Sequence, residues 1–283
     1  MLGGMFIFAA VDTMAKFLTT ELHPIQIVWS RQLGLLLGVI VMLFLRGPKI
    51  LKTKAPGLQI LRGTVAAGSA ALFIFAVAHV PLADAVAVSF VAPFMVTILA
   101  ALILREKVGM RRWIAVSLGV LGTMIVIRPG LGVIHPAVFL VVIAAAFFAC
   151  RQIISRALSS SDKTSTTVAY TAIVSLAILS LPLPFVWTWD LSAQTIKLLV
   201  AMAVLALVAE TLVIRALELA EAVVIAPLHY SMILWGTFYG WLVFSDLPDF
   251  WTWIGTAIII ATGIYTINRE RIVARNKRMK KQP

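Results

Sequence analysis

Four charged side chains stand inside stretches that are otherwise apolar: Asp12, Lys16, Arg31 and Glu210. In a lipid environment each costs roughly 2.5–3.5 kcal/mol at the centre of a spanning helix, so each needs a structural or a chemical reason. Asp12 and Lys16 are four residues apart, share a helix face and can neutralise one another. The pair is either a strut or part of a polar route. Arg31 lies near a helix end, where its head can also snorkel to the interface. Glu210, in "ALVAETLVI", either finds a basic partner such as Arg215 or Arg151 or holds a proton, which makes it the candidate for proton coupling.

A second group is aromatic. The stretch "APLHYSMILWGTFYGWLVF" places His229, Tyr230, Trp235 and Tyr239 within one apolar run, and Phe73, Phe90 and Phe94 lie in two others. Aromatic walls with a few polar tips suit an apolar or aromatic side chain of a small ligand. The same residues also serve as core or lipid-facing packing, with Gly236 and Gly240 forming a G-x-x-x-G contact face. Pro93 and Pro227 each remove one helical hydrogen bond and free a carbonyl, at Ser89 and Val223. They read as a paired hinge or as two static kinks.

Catalytic and metal chemistry find no support. The sequence has no G-x-x-x-x-G-K-[ST] loop, no H-E-x-x-H and no His/Cys cluster, so no catalytic residue, metal or cofactor is expected and the chain is not read as an enzyme. Without a phosphate loop, gradients rather than ATP bound to this chain are the expected energy source.

The elements that must hold these residues follow from composition. Of 283 residues 61% are hydrophobic and 13% charged, and the mean hydropathy is +1.01. Soluble domains carry about 25% charge; this is an all-α integral membrane protein by composition. The net charge of +12 sits in short clusters between apolar runs, which argues against nucleic acid as a partner. The single Cys150 excludes an intrachain disulfide, and no signal peptide is read at the start.

Apolar runs of spanning length fall near 1–19, 25–45, 58–79, 83–104, 110–127, 136–157, 164–186, 194–217, 222–244 and 251–267, giving ten transmembrane helices. Placing the N-terminus inside leaves only Arg128 and Lys197 on the outer side, with Lys16 and Arg31 within spans, so both termini are expected in the cytoplasm. Trp29, Trp187, Trp189, Trp251 and Trp253 then form an outer aromatic belt. The basic tail, residues 269–283, holds the C-terminus at the inner leaflet.

"FAAVDTMAKFL" from Phe8 returns as "FACRQIISRAL" from Phe148, and the same spacing sets Glu106 against Asp246 and Trp113 against Trp253. Five helices per repeat is an odd number, so the halves, 1–130 and 131–268, form a 5+5 inverted-topology pair.

The motifs "PLADA", "LREKV" and "RRWIAVSLGVLG", and in the second half "APLHY" and "WTWIG", resemble the EamA-type module of the drug/metabolite transporter superfamily. The resemblance spans nearly the whole chain, and its overall likeness is nearest to aromatic amino acid exporters of the YddG type. "FSDLP" stands where that family usually shows Gly-Glu. The resemblance implies a central route lined by helices 1, 3, 4, 6, 8 and 9, with helices 5 and 10 peripheral. It implies a secondary transporter in the inner membrane that exports amino acids with apolar or aromatic side chains by alternating access. Uptake of a nucleoside-like or vitamin-like metabolite is the alternative, and a membrane-embedded lipid enzyme a remote one. The expected partners are the small-molecule substrate and the bilayer, with the protein a monomer or weak homodimer.

Overall fold

A computed structural model describes residues 1–103, 105, 109–128, 135–159, 161–219 and 226–279; Glu106, and with it the heart of "LREKV", lies outside the described residues. Within them the chain is helical, with no strand. The helices are α1 (Leu2–Leu18), α2 (Pro24–Arg46), α3 (Pro56–Val77), α4 (Leu82–Ser89), α5 (Ala92–Ile103) and α6 (Met110–Ile127). The second half supplies α7 (Val138–Leu158), α8 (Thr164–Ser180), the short α9 (Leu183–Val186), α10 (Ala193–Leu219), α11 (Ser231–Phe244) and α12 (Phe250–Met279).

Local chemistry sets the ends. Pro24 and Pro56 open α2 and α3, where the missing N–H has no helical partner in any case. The His23 ring accepts the Ile25 amide at 3.3 Å. Gly47, at φ +73°, closes α2 by donating its N–H to the Leu43 carbonyl. The basic stretch after residue 268 continues α12 as helix as far as Met279.

Among the described residues, five stretches are long and apolar enough to cross a membrane by length and composition: Pro24–Leu45, Pro56–Val77, Leu82–Ile103, Val138–Leu158 and Ala193–Val213. Trp113–Ile127, Thr164–Ser180 and Phe250–Thr266 are shorter apolar helices. The described residues thus support five clear spans rather than the expected ten. α1 is 17 residues long and carries Asp12 and Lys16, and α11 is shortened by the 3-10 turn Ala226–Tyr230 that precedes it.

The surface is inverted relative to a soluble protein. Phe44, Phe185 and Trp189 are each more than 85% exposed, whereas Asp12, Gln26, Gln32 and Gln59 are buried. That distribution fits a hydrocarbon solvent outside and polar packing within.

Packing between the halves is reciprocal. α3 lies against α7 and α8, and α10 lies against α1 and α2. α1 meets α11 as α7 meets α4 and α5, while α2 meets α8, α4 meets α11 and α6 meets α12. Each of these contacts is matched by its counterpart when the halves are exchanged. Gly34 and Gly38, whose small faces fit either the bundle or a second copy, pack on Ala203 and Leu207 of α10. A side chain at Gly34 would meet the Ala203 backbone, so the α2–α10 approach depends on that glycine. Between α6 and α12, a Cβ at Gly255 would come within 2.5 Å of the Gly122 carbonyl oxygen.

At the end of the bundle expected to face the cytoplasm, Asp162 ties the α7–α8 turn to α3. It accepts the Thr53 hydroxyl, the Gln59 amide at 2.7 Å and the Lys54 N–H at 3.1 Å. These bonds, the Thr53 hydroxyl first, hold its carboxyl below the usual carboxylate range. The stabilisation is therefore present above the ordinary Asp value of about 3.9 and lost as pH falls through the lower folded value. Thermal unfolding followed against pH should show an acid-side loss that Asp162→Asn removes, with no change between pH 6 and 8.

Candidate functional site

The charged residues of the first repeat do not pair as their spacing suggests. Asp12, in the middle of α1, faces α2 and accepts from Arg31 Nη1 at 3.0 Å. Arg31 therefore does not snorkel outward; it turns into the bundle, with its guanidinium 5.6 Å from the Phe8 ring centroid. Lys16, one turn further on, reaches Asp246 Oδ2 at 3.3 Å and donates to the Val80 carbonyl at 3.1 Å. The physical reason is position: Asp12 lies deep beside α2, whereas Lys16 is near the end of α1 and meets the loop before α12.

That loop forms a second bond with the first half. Arg128, the left-handed residue that caps α6 at φ +45°, pairs with Asp249. Lys16–Asp246 and Arg128–Asp249 thus join the two repeats at one end of the bundle, beside buried Asp84.

Both proline-bearing helices are interrupted. α4 stops at Ser89 and α5 starts at Ala92, with Phe90 and Val91 in i→i−3 turns between them and Pro93 in the first turn of α5. Pro227 falls in the 3-10 turn that ends at Tyr230. The breaks touch: Phe90 and Tyr230 stack at 4.8 Å with an interplanar angle of 24°. They are also separated by the repeat spacing of 140 residues, so the stack joins corresponding breaks of the two halves.

The remaining aromatic candidates separate. Trp235 and Tyr239 pack on Phe6 of α1, at 5.1 and 5.4 Å between centroids, and Trp235 Nε1 is buried without an acceptor. Phe73 is half-buried in α3 against the core, and His229 is exposed. Phe94, expected as a substrate contact, is instead 2% exposed and fills the space left by Gly119 of α6. Its ring is a packing element.

Glu210 is half-buried on α10 and stands within electrostatic reach of Arg62 and Arg151. Arg62 is well held: Nε donates to Ser155 Oγ at 2.7 Å, and Nη1 bonds Thr171 and the Thr167 carbonyl. Arg151 lies 4.6 Å over Phe148, and Arg31 is also within its electrostatic reach. Charged groups from α2, α3, α7 and α10 thus converge inside the bundle.

A model of the EamA-like transporter family matches residues 1–128 and again 135–269. The chain belongs to this family. An S-adenosylmethionine uptake transporter of Rickettsia felis is 27% identical over 263 residues, 93% of this chain and 89% of its own length. A riboflavin transporter of Vibrio cholerae is 30% identical over 279 residues, 96% and 92% of the two chains. A pseudopaline exporter of Pseudomonas aeruginosa is 27% identical over 265 residues, 92% and 91%. A solved crystal structure shares the fold at TM-score 0.60 over 94% of this chain and 97% of its own, with 14% identity.

The EamA-like chain is thus a multi-pass membrane transporter, and the substrates of these relatives do not single out aromatic amino acids. Within it, Phe6 and Arg62 were not candidates by residue type: Phe6 looks like any lipid-facing phenylalanine and Arg62 like an inner-side charge that fixes topology. Arg151 was legible only as a partner for Glu210, with which it forms no ion pair among the described residues. The 140-residue offset that relates Phe90 to Tyr230 was the available signal for the stack between the halves.

Proposed function

We propose that this EamA-like transporter carries amino acids with apolar or aromatic side chains across the inner membrane, in the export direction, by alternating access between its two halves. In this reading ten helices cross the bilayer as an inverted pair, the halves divide near residue 130, and both termini are cytoplasmic. The observation that carries it is the Phe90–Tyr230 stack at the meeting of two broken helices. Breaks at membrane depth are tolerated where they line a cavity or are buried in protein, and repeat-related breaks mark binding regions in inverted-repeat transporters. Pro93 and Pro227 then act as hinges, and Phe6, Trp235 and Tyr239 supply an aromatic wall.

Purified protein in liposomes loaded with unlabelled amino acids should admit labelled phenylalanine and tryptophan by counterflow with no ion gradient. Uptake independent of internal amino acid would overturn the reading. The second reading, uptake of a nucleoside-like or vitamin-like metabolite, is favoured by the S-adenosylmethionine and riboflavin relatives. Counterflow with riboflavin, and none with amino acids, would establish it instead; S-adenosylmethionine carries an α-amino-carboxylate head and so does not separate the two readings.

A further inference from the structure

Three arginines face the interior of the bundle, and two are satisfied. Arg31 is bound by Asp12, and Arg62 by Ser155, Thr171 and the Thr167 carbonyl. Arg151 is not. Its guanidinium makes no hydrogen bond or ion pair among the described residues, and its Nε is closed off from solvent without an acceptor. The ring of Phe148 covers one face. A guanidinium has five donors and no acceptor, and withholding partners from a desolvated charge is costly.

Glu210 is in the complementary position. It is half-buried, and it too makes no hydrogen bond or ion pair among the described residues. It lies within electrostatic reach of Arg151 yet outside contact distance. Two opposite charges held apart in a bundle retain most of their desolvation cost without the short-range gain of a salt bridge. An anionic ligand would satisfy Arg151 and leave Glu210 unpartnered; a cationic one would do the reverse. A head group bearing both charges satisfies both, with the carboxylate positioned for the planar fork of the guanidinium.

We propose that Arg151 and Glu210 form a clamp for a zwitterion, Arg151 receiving the carboxylate and Glu210 the ammonium of an α-amino acid, with Phe148 fixing the guanidinium plane. The clamp rests on the amino acid reading above and narrows it. Its recognition lies in the head group, so side chains of different size are accepted, whereas molecules that lack either charge are rejected.

The test is ligand-induced thermal stabilisation of the purified full-length protein, using L-phenylalanine, 3-phenylpropionate, which lacks the ammonium, and 2-phenylethylamine, which lacks the carboxylate. The wild type should need roughly 10- to 100-fold more of either analogue than of phenylalanine for the same shift, the effect of leaving one buried charge unpaired. Glu210→Gln should bring phenylalanine and 3-phenylpropionate to parity. Arg151→Gln should do so for phenylalanine and 2-phenylethylamine. A wild type that binds either analogue as well as phenylalanine overturns the clamp without any variant, and so do variants that keep the wild-type order. A wild type stabilised by riboflavin but not by phenylalanine overturns the amino acid reading itself. Stabilisation by phenylalanine with an unchanged order in both variants removes only the clamp.

Discussion

Replacing Asp12 by alanine is expected to cost the folded bundle about 3–5 kcal/mol, because it leaves the Arg31 guanidinium buried without its anion. The Asp12 side chain is 9% exposed and that of Arg31 21%, so solvent screens the pair little. Against a total stability of roughly 5–15 kcal/mol, that loss should appear as a large drop in thermal stability in detergent. Arg31→Met should cost a similar amount by stranding the carboxylate. The double variant Asp12→Leu with Arg31→Met should recover most of the loss, since a buried ion pair and a packed apolar pair are often close in free energy. A cycle of the four proteins measures the coupling directly; additive losses would show that the pair is not a unit. Counterflow in the double variant then separates a strut, which keeps transport, from a pair that contacts substrate, which loses it.

That pairing also shows what could be read from the chain and what could not. The helices of the first repeat up to Val77 were legible, because apolar runs and the punctuation of Pro24, Pro56 and Gly47 act locally; the breaks within 83–104 and 222–244 were not. The repeat was legible from spacing alone, and the reciprocal packing of α3 with α7 and α10 with α1 agrees with it. Charge partners were not. Spacing four apart joins Asp12 to Lys16 on paper, but each finds a better-placed partner on another element, Lys16 one that lies 230 residues away. Nor could residue type separate Phe90 from Phe94. The break at Phe90–Val91 turns one ring toward Tyr230 and leaves the other against Gly119. Arg62 was hidden for a related reason: the inner-side charge bias explains an arginine there without asking which way it faces.

Breaking the two ion pairs between the repeats should open one end of the bundle. Lys16 holds Asp246 and the Val80 carbonyl and rests 4.7 Å from the Phe244 ring centroid, while Arg128 holds Asp249. Bonds to charged groups contribute about 1.5–3 kcal/mol each when sheltered. Asp246 and Asp249 are 39% and 45% exposed, so a smaller figure applies, and losing both together should favour opening at that end by about tenfold. Leu82, fully buried next to Val80, is a reporter position. In a Cys150→Ala background, Leu82→Cys should react slowly with an impermeant maleimide added outside. Adding Lys16→Ala and Arg128→Ala should speed that reaction about tenfold, and an unchanged rate would rule out the latch. Acceleration only for reagent trapped inside the vesicles would place this end at the cytoplasm and reverse the proposed topology. The latch should not respond to pH near neutrality. Burial acts to raise the Asp249 carboxyl, but the Thr252 amide and Arg128 outweigh it and hold it below the usual range. Its contribution is therefore present above about pH 4 and is lost only as pH falls through the lower folded value. Labelling rates measured between pH 6 and 8 should coincide, and a latch that loosened across that window would have to depend on a group other than Asp249.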